Sequence, residues 1–343
     1  LAALGSAGCK SDPPKPDPAG TTTATLNPTP APPPPAAAAP LLVAYSDWPG
    51  WVAWDIAEKK GFFRAEGVDV ELVWLEYVPS MEHFSRGLVD AVCMTNGDAL
   101  VVAQSGAQST GILLNDYSNG NDMIVARPGL ASVKNLKGKK IGVEVGFVDH
   151  LLLLEALKSV GLKESDVEIV NEKTNATPAL LASGRVDAIA AWQPNSGQAL
   201  EQVVGSRPLF TSADVPGLIY DLLYVNPKSL AARRGDWQKV VNAWFDVVAY
   251  IQSPLTRADA VRIMSERVAL PAAKYATLLD GTFLLDRAGN LEHFEEGPTL
   301  ASVYGSSRIV DGFNIANHIY KDPSLVETLL DPSLVRSSPQ QRR

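Results

Sequence analysis

The stretch Gly87-Leu88-Val89-Asp90-Ala91-Val92 returns 97 positions later as Gly184-Arg185-Val186-Asp187-Ala188-Ile189. At the same offset, Asp69-Val70-Glu71-Leu72-Val73 returns as Asp166-Val167-Glu168-Ile169-Val170. Both stretches belong to longer copies, residues 41–127 and 139–226, in which short apolar runs alternate with amphipathic ones. Strands that alternate with helices predict mostly parallel sheets with helices on their faces. The repeat therefore predicts an α/β fold of two Rossmann-like lobes.

The repeat and the composition also set the expected domain boundaries. Residues 10–40 are rich in Pro, Ala and Thr, which predicts a disordered tether. We expect lobe 1 at 41–126 plus 224–332 and lobe 2 at 127–223, with crossovers near 124–128 and 222–227. Residues 333–343 are expected to form a disordered tail. Gly61 predicts a helix end, and 237–253 predicts an amphipathic helix that packs back on the first unit.

Residues 1–9 resemble the end of a bacterial lipoprotein signal peptide. In Ser6-Ala7-Gly8-Cys9 the cysteine would be lipidated, although Ser6 stands where Leu is the commonest residue. The alternative is a generic cleavage region of small residues. We expect a protein of the periplasm or the cell surface, held to a bacterial membrane by the lipid at Cys9 alone.

Charge and motif content disfavour several function classes. The formal charge is −8 and no basic block occurs outside the last few residues, so we expect no nucleic-acid partner. No apolar run reaches the roughly 18 residues of a membrane span. The four histidines are scattered and lack spaced partners, so we expect no metal site. No nucleophile elbow, phosphate loop or zincin motif occurs, and we expect no cofactor, no enzymatic activity and a monomer.

Ligands of open α/β sheets bind outside the carboxyl ends of the strands. The loops expected there are 46–51, 95–98, 115–117, 146–149 and 192–194, and they contain carboxylates and aromatic rings but no Lys or Arg. From these loops and the strand ends beside them we predict ten ligand-binding residues: Asp47, Trp48, Trp51, Asn96, Asp116, Glu144, Phe147, Asp149, Trp192 and Asp221.

Carboxylates beside aromatic faces suit a cation, through charge-assisted hydrogen bonds and cation–π contact. A planar guanidinium can do both, because it bonds a carboxylate in two places and stacks on an indole. Structural alternatives stay open at several positions. Asp47, Asp98 and Asp149 could cap turns or helices, Trp51 and Trp54 could be core residues, and Asp122 and Asp221 could pack at the hinge.

Several motifs resemble those of one protein family. They are Ile-Ala-Glu-Lys-Lys-Gly-Phe-Phe at 56–63, the paired Gly-x-Val-Asp-Ala segments, the segment 133–143, and Ala-Trp-Gln-Pro at 191–194, where Gln replaces the family's Glu. Over about residues 41–320 the chain resembles the substrate-binding proteins of nitrate/sulfonate/taurine-type ABC importers. Asp-Trp-Pro-Gly-Trp at 47–51 and Val-Asp-His at 148–150 look like a branch associated with urea- or guanidine-type nitrogen compounds.

The resemblance implies the type II periplasmic-binding-protein fold, capture of a small ligand between the lobes by hinge closure, and delivery to an ABC permease. Other ligands stay open, namely a sulfonate, nitrate or a thiamine-type pyrimidine. The rival class is a pyrimidine-synthase-like enzyme on the same fold. That branch carries a Cys-rich motif, whereas the body of this chain has only Cys93.

Overall fold

The computed structural model describes Gly8, residues 11–15 and residues 39–339. The predicted lipidation site, Cys9, and most of the predicted tether at 10–40 lie outside the described residues, as do residues 340–343. Within 39–339 the strands form two separate sheets. The strands are β1 Leu41–Tyr45, β2 Val70–Trp74, β3 Ala91–Thr95, β4 Thr110–Ser118, β5 Asp122–Ala126, β6 Lys140–Val143, β7 Glu168–Asn171, β8 Ala188–Trp192, β9 Arg207–Thr211, β10 Tyr220–Val225 and β11 Thr282–Leu284.

The repeat in the sequence is a repeat of sheet topology. The first sheet has the order β11-β4-β10-β3-β1-β2 and the second β7-β6-β8-β5-β9. In each sheet, the first strand of the repeat unit (β1 or β6) lies next to an edge strand and runs parallel to both of its neighbours. One further strand, β10 or β5, lies antiparallel beside them. The predicted α/β fold of two Rossmann-like lobes is therefore confirmed.

The strand pairing places both crossovers earlier than predicted. The chain leaves the first sheet after β4, at residues 119–121, and returns before β10, at residues 212–219. The expected boundaries at 126/127 and 223/224 therefore fall at the end of β5 and inside β10. The sequences of β5 and β10 are as apolar as the repeat unit that precedes each of them. They therefore do not show that β5 belongs to the second sheet and β10 to the first. The crossovers touch through the Ser118 and Ser212 hydroxyls, 2.6 Å apart.

Helices cover both faces of the sheets. They are α1 Pro49–Val52, α2 Trp54–Lys60, α3 Phe62–Glu66, α4 Tyr77–Ser85, α5 Asn96–Gln104, α6 Val148–Ser159, α7 Thr177–Ala182, α8 Asn195–Gln202, α9 Pro227–Ala232, α10 Arg234–Gln252, α11 Arg257–Arg267, α12 Ala272–Leu278, α13 Arg287–His293, α14 Val303–Ala316 and α15 Ser333–Ser337. Two short 3₁₀ turns, Thr174–Ala176 and Ser212–Asp214, lie beside the cleft and the crossover. Among the described residues, no helix combines the length and the apolar character that crossing a membrane requires.

The last third of the body packs on the first lobe, as predicted. Trp244 of α10 lies 4.7 Å from Trp54 of α2 between ring centroids, and both indoles are buried. Trp54 is therefore a core residue. Gly61 ends α2 with a φ of 74°, a left-handed conformation that favours glycine, as the sequence indicated.

The prediction of a disordered tail from residue 333 is wrong for residues 333–338. These residues include α15, whose Leu334 and Val335 are buried. Gln238 of α10 also donates to the Leu334 carbonyl at 2.9 Å. The serines and arginines of this stretch predict disorder, but the adjacent apolar side chains of Leu334 and Val335 pack into the core.

Candidate functional site

Two neighbouring cavities lie where the carboxyl ends of the strands from both lobes meet. The inner cavity has a volume of about 10 Å³ and is lined mainly by Trp48, Trp51, Tyr77, Asp122, Trp192 and Asp221. The outer cavity has a volume of about 210 Å³ and lies between the segment 74–79 of lobe 1 and Glu144, the segment 173–175 and Asn195 of lobe 2. Tyr77 and Trp192 line both cavities and stand between them, so the two cavities are neighbours in the cleft between the lobes.

Trp48 lines the inner cavity on the side of lobe 1, and Asp116 lies buried behind it. The Trp48 Nε1 donates to Asp116 Oδ1 at 3.0 Å. Asp116 lies within β4 rather than in the loop where the sequence placed it. Gly50 makes room for this carboxylate, since a Cβ there would lie 1.8 Å from Asp116 Oδ2. The turn Trp48-Pro49-Gly50-Trp51 thus sets the position of an acid that is distant in sequence.

Asp116 and Asp221 face each other across the β4–β10 ladder. Both side chains are buried, and neither Oδ2 has a hydrogen-bond partner within the described residues. Burial raises the pKa of Asp116 to about 8. Burial, together with the charge of Asp116, raises the pKa of Asp221 well above its ordinary value. Two facing buried carboxylates with no counter-charge among the described residues favour the protonated form of one of them.

Asp122 and Asp149 bring two further carboxylates from lobe 2. Asp122 begins β5 opposite Trp192, and burial raises its pKa to about 7. Asp149 is fully buried in the first turn of α6. The N-cap of that helix is Phe147, so the alternative that Asp149 is the cap is wrong. Burial raises the pKa of Asp149, and the charges of Asp122 and Glu144 raise it further.

Tyr77 is the main residue of the cleft that the sequence did not single out. Its hydroxyl donates to Asp98 Oδ2 at 2.5 Å and accepts from the Thr95 backbone N–H at 3.0 Å. Its ring lies 5.1 Å from Trp51 and 5.3 Å from Trp192. Tyr77 begins α4 directly after β2, and this position after a strand end was the available signal. Burial raises the pKa of Asp98 to about 7.

The helix-cap alternative for Asp98 is also wrong. Thr95 is the N-cap of α5, and its hydroxyl accepts from the Asp98 backbone N–H at 3.0 Å. The carboxylate of Asp98 instead accepts a hydrogen bond from the Tyr77 hydroxyl, and this bond holds the Tyr77 ring in place beside the inner cavity.

The outer cavity is bridged by contacts between the lobes. Asp47 accepts from Trp192 Nε1 at 3.3 Å and from Asn195 Nδ2 at 3.4 Å. Across the mouth, Glu76 accepts from Asn175 Nδ2 at 3.0 Å and lies 3.5 Å from Lys173 Nζ. These contacts join lobe 1 to lobe 2, so the cleft is in a closed arrangement.

Glu144 lines the lobe 2 side of the outer cavity. One of its carboxylate oxygens accepts from the backbone N–H and the hydroxyl of Thr174, both at 3.1 Å. Burial raises the pKa of Asp47 on the facing lobe. Both cavities are therefore bordered by carboxylates from both lobes.

Eight of the ten predicted residues meet at this cleft. Six of them line the cavities, namely Asp47, Trp48, Trp51, Glu144, Trp192 and Asp221. Asp116 and Asp149 are buried behind the lining residues. Asn96 does not line either cavity. Its amide donates to the Ser306 hydroxyl at 3.0 Å and accepts from the Tyr220 backbone N–H at 3.1 Å, so it links α5 to α14 and β10. Phe147 packs against the apolar core instead, and its neighbour Val148 lines the inner cavity.

The inner carboxylates have no basic partner. Among residues 39–339, no Lys or Arg lies within ion-pair distance of Asp98, Asp116, Asp122, Asp149 or Asp221, and their pKa values are raised rather than lowered. The described residues also contain no group of three or more His, Cys, Asp or Glu side chains arranged to hold a metal ion. Buried carboxylates without counter-charges favour protons or a bound cation.

Two α/β lobes, two adjacent crossovers and a cleft between them define a protein with the fold of periplasmic binding proteins. The family described as "NMT1/THI5 like" matches residues 51–253, and the chain belongs to this family. The family resemblance noted in the sequence is thereby confirmed.

Solved structures show the same fold. The crystal structure of the periplasmic aliphatic sulphonate binding protein of Escherichia coli aligns with a TM-score of 0.71 at 19% identity, over 88% of this chain and 100% of that one. The periplasmic nitrate-binding protein of Synechocystis aligns with a TM-score of 0.67 at 11% identity, over 86% and 87% of the two chains. A desulfurization enzyme aligns at 0.62 and 16% identity, over 86% and 98%, so this fold also occurs in an enzyme.

Curated relatives cover less of the chain. A protein of Brucella abortus that is named as a binding protein is 29% identical over 177 residues, which are 51% of this chain and 54% of the relative. A protein of Escherichia coli named for binding aliphatic sulfonates is 30% identical over 152 residues, 44% of this chain and 46% of the relative. The chain thus spans about half the length of the curated relatives that it matches.

Proposed function

We propose that this protein is the solute-binding component of an ABC importer and that its ligand is a small cation rich in N–H groups, of which guanidinium is the simplest example. One observation carries the ligand class. Asp122 and Asp221 line the inner cavity, each with a buried oxygen that has no hydrogen-bond partner within the described residues. N–H groups of a cation would supply the missing donors and the missing positive charge together.

The aromatic wall favours the same class of ligand. Trp48, Trp51, Tyr77 and Trp192 surround the inner cavity, and indole faces attract cations. A quaternary ammonium would fit such a wall but would leave the carboxylate oxygens without donors. The carboxylates therefore favour guanidinium, amidinium or primary ammonium groups.

Anionic ligands fit this cleft poorly. A sulfonate or nitrate ion in the inner cavity would meet the carboxylates of Asp122 and Asp221, with Asp116 and Asp149 buried near them and no basic side chain beside any of the four among the described residues. The names of the sulfonate- and nitrate-binding relatives therefore indicate the role of the fold but not the ligand of this chain.

Binding is proposed to close the two lobes about the crossovers at 119–121 and 212–219, and the closed protein would then dock on a permease. The proposed location is the periplasm or the cell surface, with the monomer anchored through lipid on Cys9. An enzyme of the pyrimidine-synthase kind is the less supported alternative, because Cys93 is buried in β3 and lines neither cavity.

Calorimetric titration with guanidinium, taurine, nitrate and an aminopyrimidine tests the ligand class. We expect guanidinium or an alkylammonium to bind and the two anions not to bind. Asp122→Asn should weaken cation binding by at least about tenfold, since it removes one charged partner of the ligand. Asp69→Asn is the matched control, because Asp69 is exposed at the opposite end of the sheet. Tight binding of taurine or nitrate without a response to any cation would refute the proposal.

A further inference from the structure

The size of the inner cavity limits what can enter it in the closed arrangement. Its volume of about 10 Å³ is close to the space that one water molecule needs. An ammonium group has about the size and the hydrogen-bonding reach of a water molecule, whereas a planar guanidinium is larger. A ligand with more than an ammonium group must therefore extend past Tyr77 and Trp192 into the outer cavity.

The outer cavity has room and apolar surface for the body of such a ligand. Its volume is about 210 Å³, and Trp74, Leu75, Val78 and Pro79 line it on the side of lobe 1. A short methylene chain would bury its apolar surface against these side chains, which favours binding.

The outer cavity is acidic as well. Asp47, Glu76 and Glu144 line it against a single basic residue, Lys173, which lies beside Glu76. Neither Asp47 nor Glu144 has a Lys or Arg within ion-pair distance among residues 39–339. The second end of an extended ligand would therefore meet carboxylates, as the first end does in the inner cavity.

We propose that the ligand is an unbranched molecule with a cationic group at each end, such as a diaminoalkane or an aminoalkylguanidine. One ammonium occupies the inner cavity between Asp122 and Asp221, the chain lies along Trp74, and the second cation lies between Asp47 and Glu144. This inference rests on the proposed function and extends it from a charge class to a molecular shape.

Titration of the full chain with diaminobutane, butylamine and guanidinium tests the shape. Diaminobutane and butylamine share the ammonium head and the four-carbon chain, and only diaminobutane adds a second charge at the other end, whereas guanidinium is a cation without a chain. We expect diaminobutane to bind at least about tenfold more tightly than butylamine. Glu144→Gln should lower the affinity for diaminobutane by about tenfold and the affinity for butylamine much less. Asp122→Asn should lower the affinity for both ligands.

Two controls separate a loss of fold from a loss of contact. Glu82→Gln changes only an exposed pair with Arg86 on α4 and should leave all affinities unchanged. Asp47→Asn is a second variant at the outer end and should repeat the effect of Glu144→Gln. Equal affinity for diaminobutane and butylamine, or equal losses for both ligands in both outer variants, would overturn the inference while leaving the cation site intact. Binding of taurine or nitrate in place of every cation would instead overturn the proposed function itself.

Discussion

The substitution Asp122→Asn should make the ligand-free protein more stable at high pH. Asp122 is buried, one of its oxygens has no partner within the described residues, and burial raises its pKa from 3.8 to about 7. A raised pKa means that the folded state holds the proton more tightly than the unfolded state. The stability from this proton is complete below about pH 4 and is lost as the pH rises to about 7.

The pKa difference sets the size of the effect. A shift of about three units corresponds to about 4 kcal/mol between the two ends of that pH window. Asparagine removes the charge but adds N–H groups that need partners, so we expect a net gain of about 2 kcal/mol at pH 8. At pH 4 the carboxyl group is neutral in the folded state and about half protonated in the unfolded state, so we expect almost no gain.

Urea unfolding of Asp122→Asn and of the unchanged protein at the two pH values measures this difference. Asp69→Asn serves as the control, since an exposed acid should change the midpoint little at either pH. Cation affinity is measured on the same samples. A variant that is less stable than the unchanged protein at pH 8 by the same amount as at pH 4, with unchanged cation affinity, would refute the assignment of Asp122 as an unpaired site carboxylate.

Three further outcomes follow from the cleft. Cation affinity should rise by about tenfold from pH 6 to pH 8, because Asp122, whose pKa is about 7, must release its proton to bind a cation; titration at both pH values measures it, and a constant affinity would contradict it. Gly50→Ala should lower both stability and affinity, since its Cβ would meet Asp116 Oδ2 at 1.8 Å, whereas Gly235→Ala has open space and should be neutral in thermal unfolding. Glu76→Gln should weaken the contacts to Lys173 and Asn175 across the mouth and enlarge the radius of gyration of the ligand-free protein in solution scattering, and Glu82→Gln should not.

The strands and their alternation with helices were predictable because each repeat unit carries its own apolar pattern. The crossovers were not, because β5 and β10 look like ordinary members of the preceding unit. Their pairing depends on which sheet lacks a neighbour for β8 or β3, and that is a property of the assembled fold. Because the boundaries lie earlier than predicted, Asp122 and Asp221 come just after a crossover rather than just before one.

The candidate site shows the same division between local and assembled information. Asp47, Trp48 and Trp192 follow strand ends, and this rule located them from the sequence. Asn96 also follows a strand, but its amide donates a hydrogen bond to Ser306 of α14, which lies more than two hundred residues away in the sequence. Tyr77 was not predicted from the sequence, because a tyrosine at the start of a helix is uncharged and matches no motif. Its role depends on its contacts with Asp98, Trp51 and Trp192.

The charge balance of the cleft links ligand choice to lobe closure. Closing the lobes removes water from Asp122 and Asp149 of lobe 2 and from Asp116 and Asp221 of lobe 1, which is unfavourable for every carboxylate that remains ionised. Protons reduce that penalty at low pH, and a bound cation would reduce it at neutral pH. A ligand shifts a conformational equilibrium only by its differential affinity for the two states. Because Asp122 and Asp221 come from different lobes, a cation in the inner cavity meets both only in the closed state, so the same residues would select the ligand and make closure depend on it.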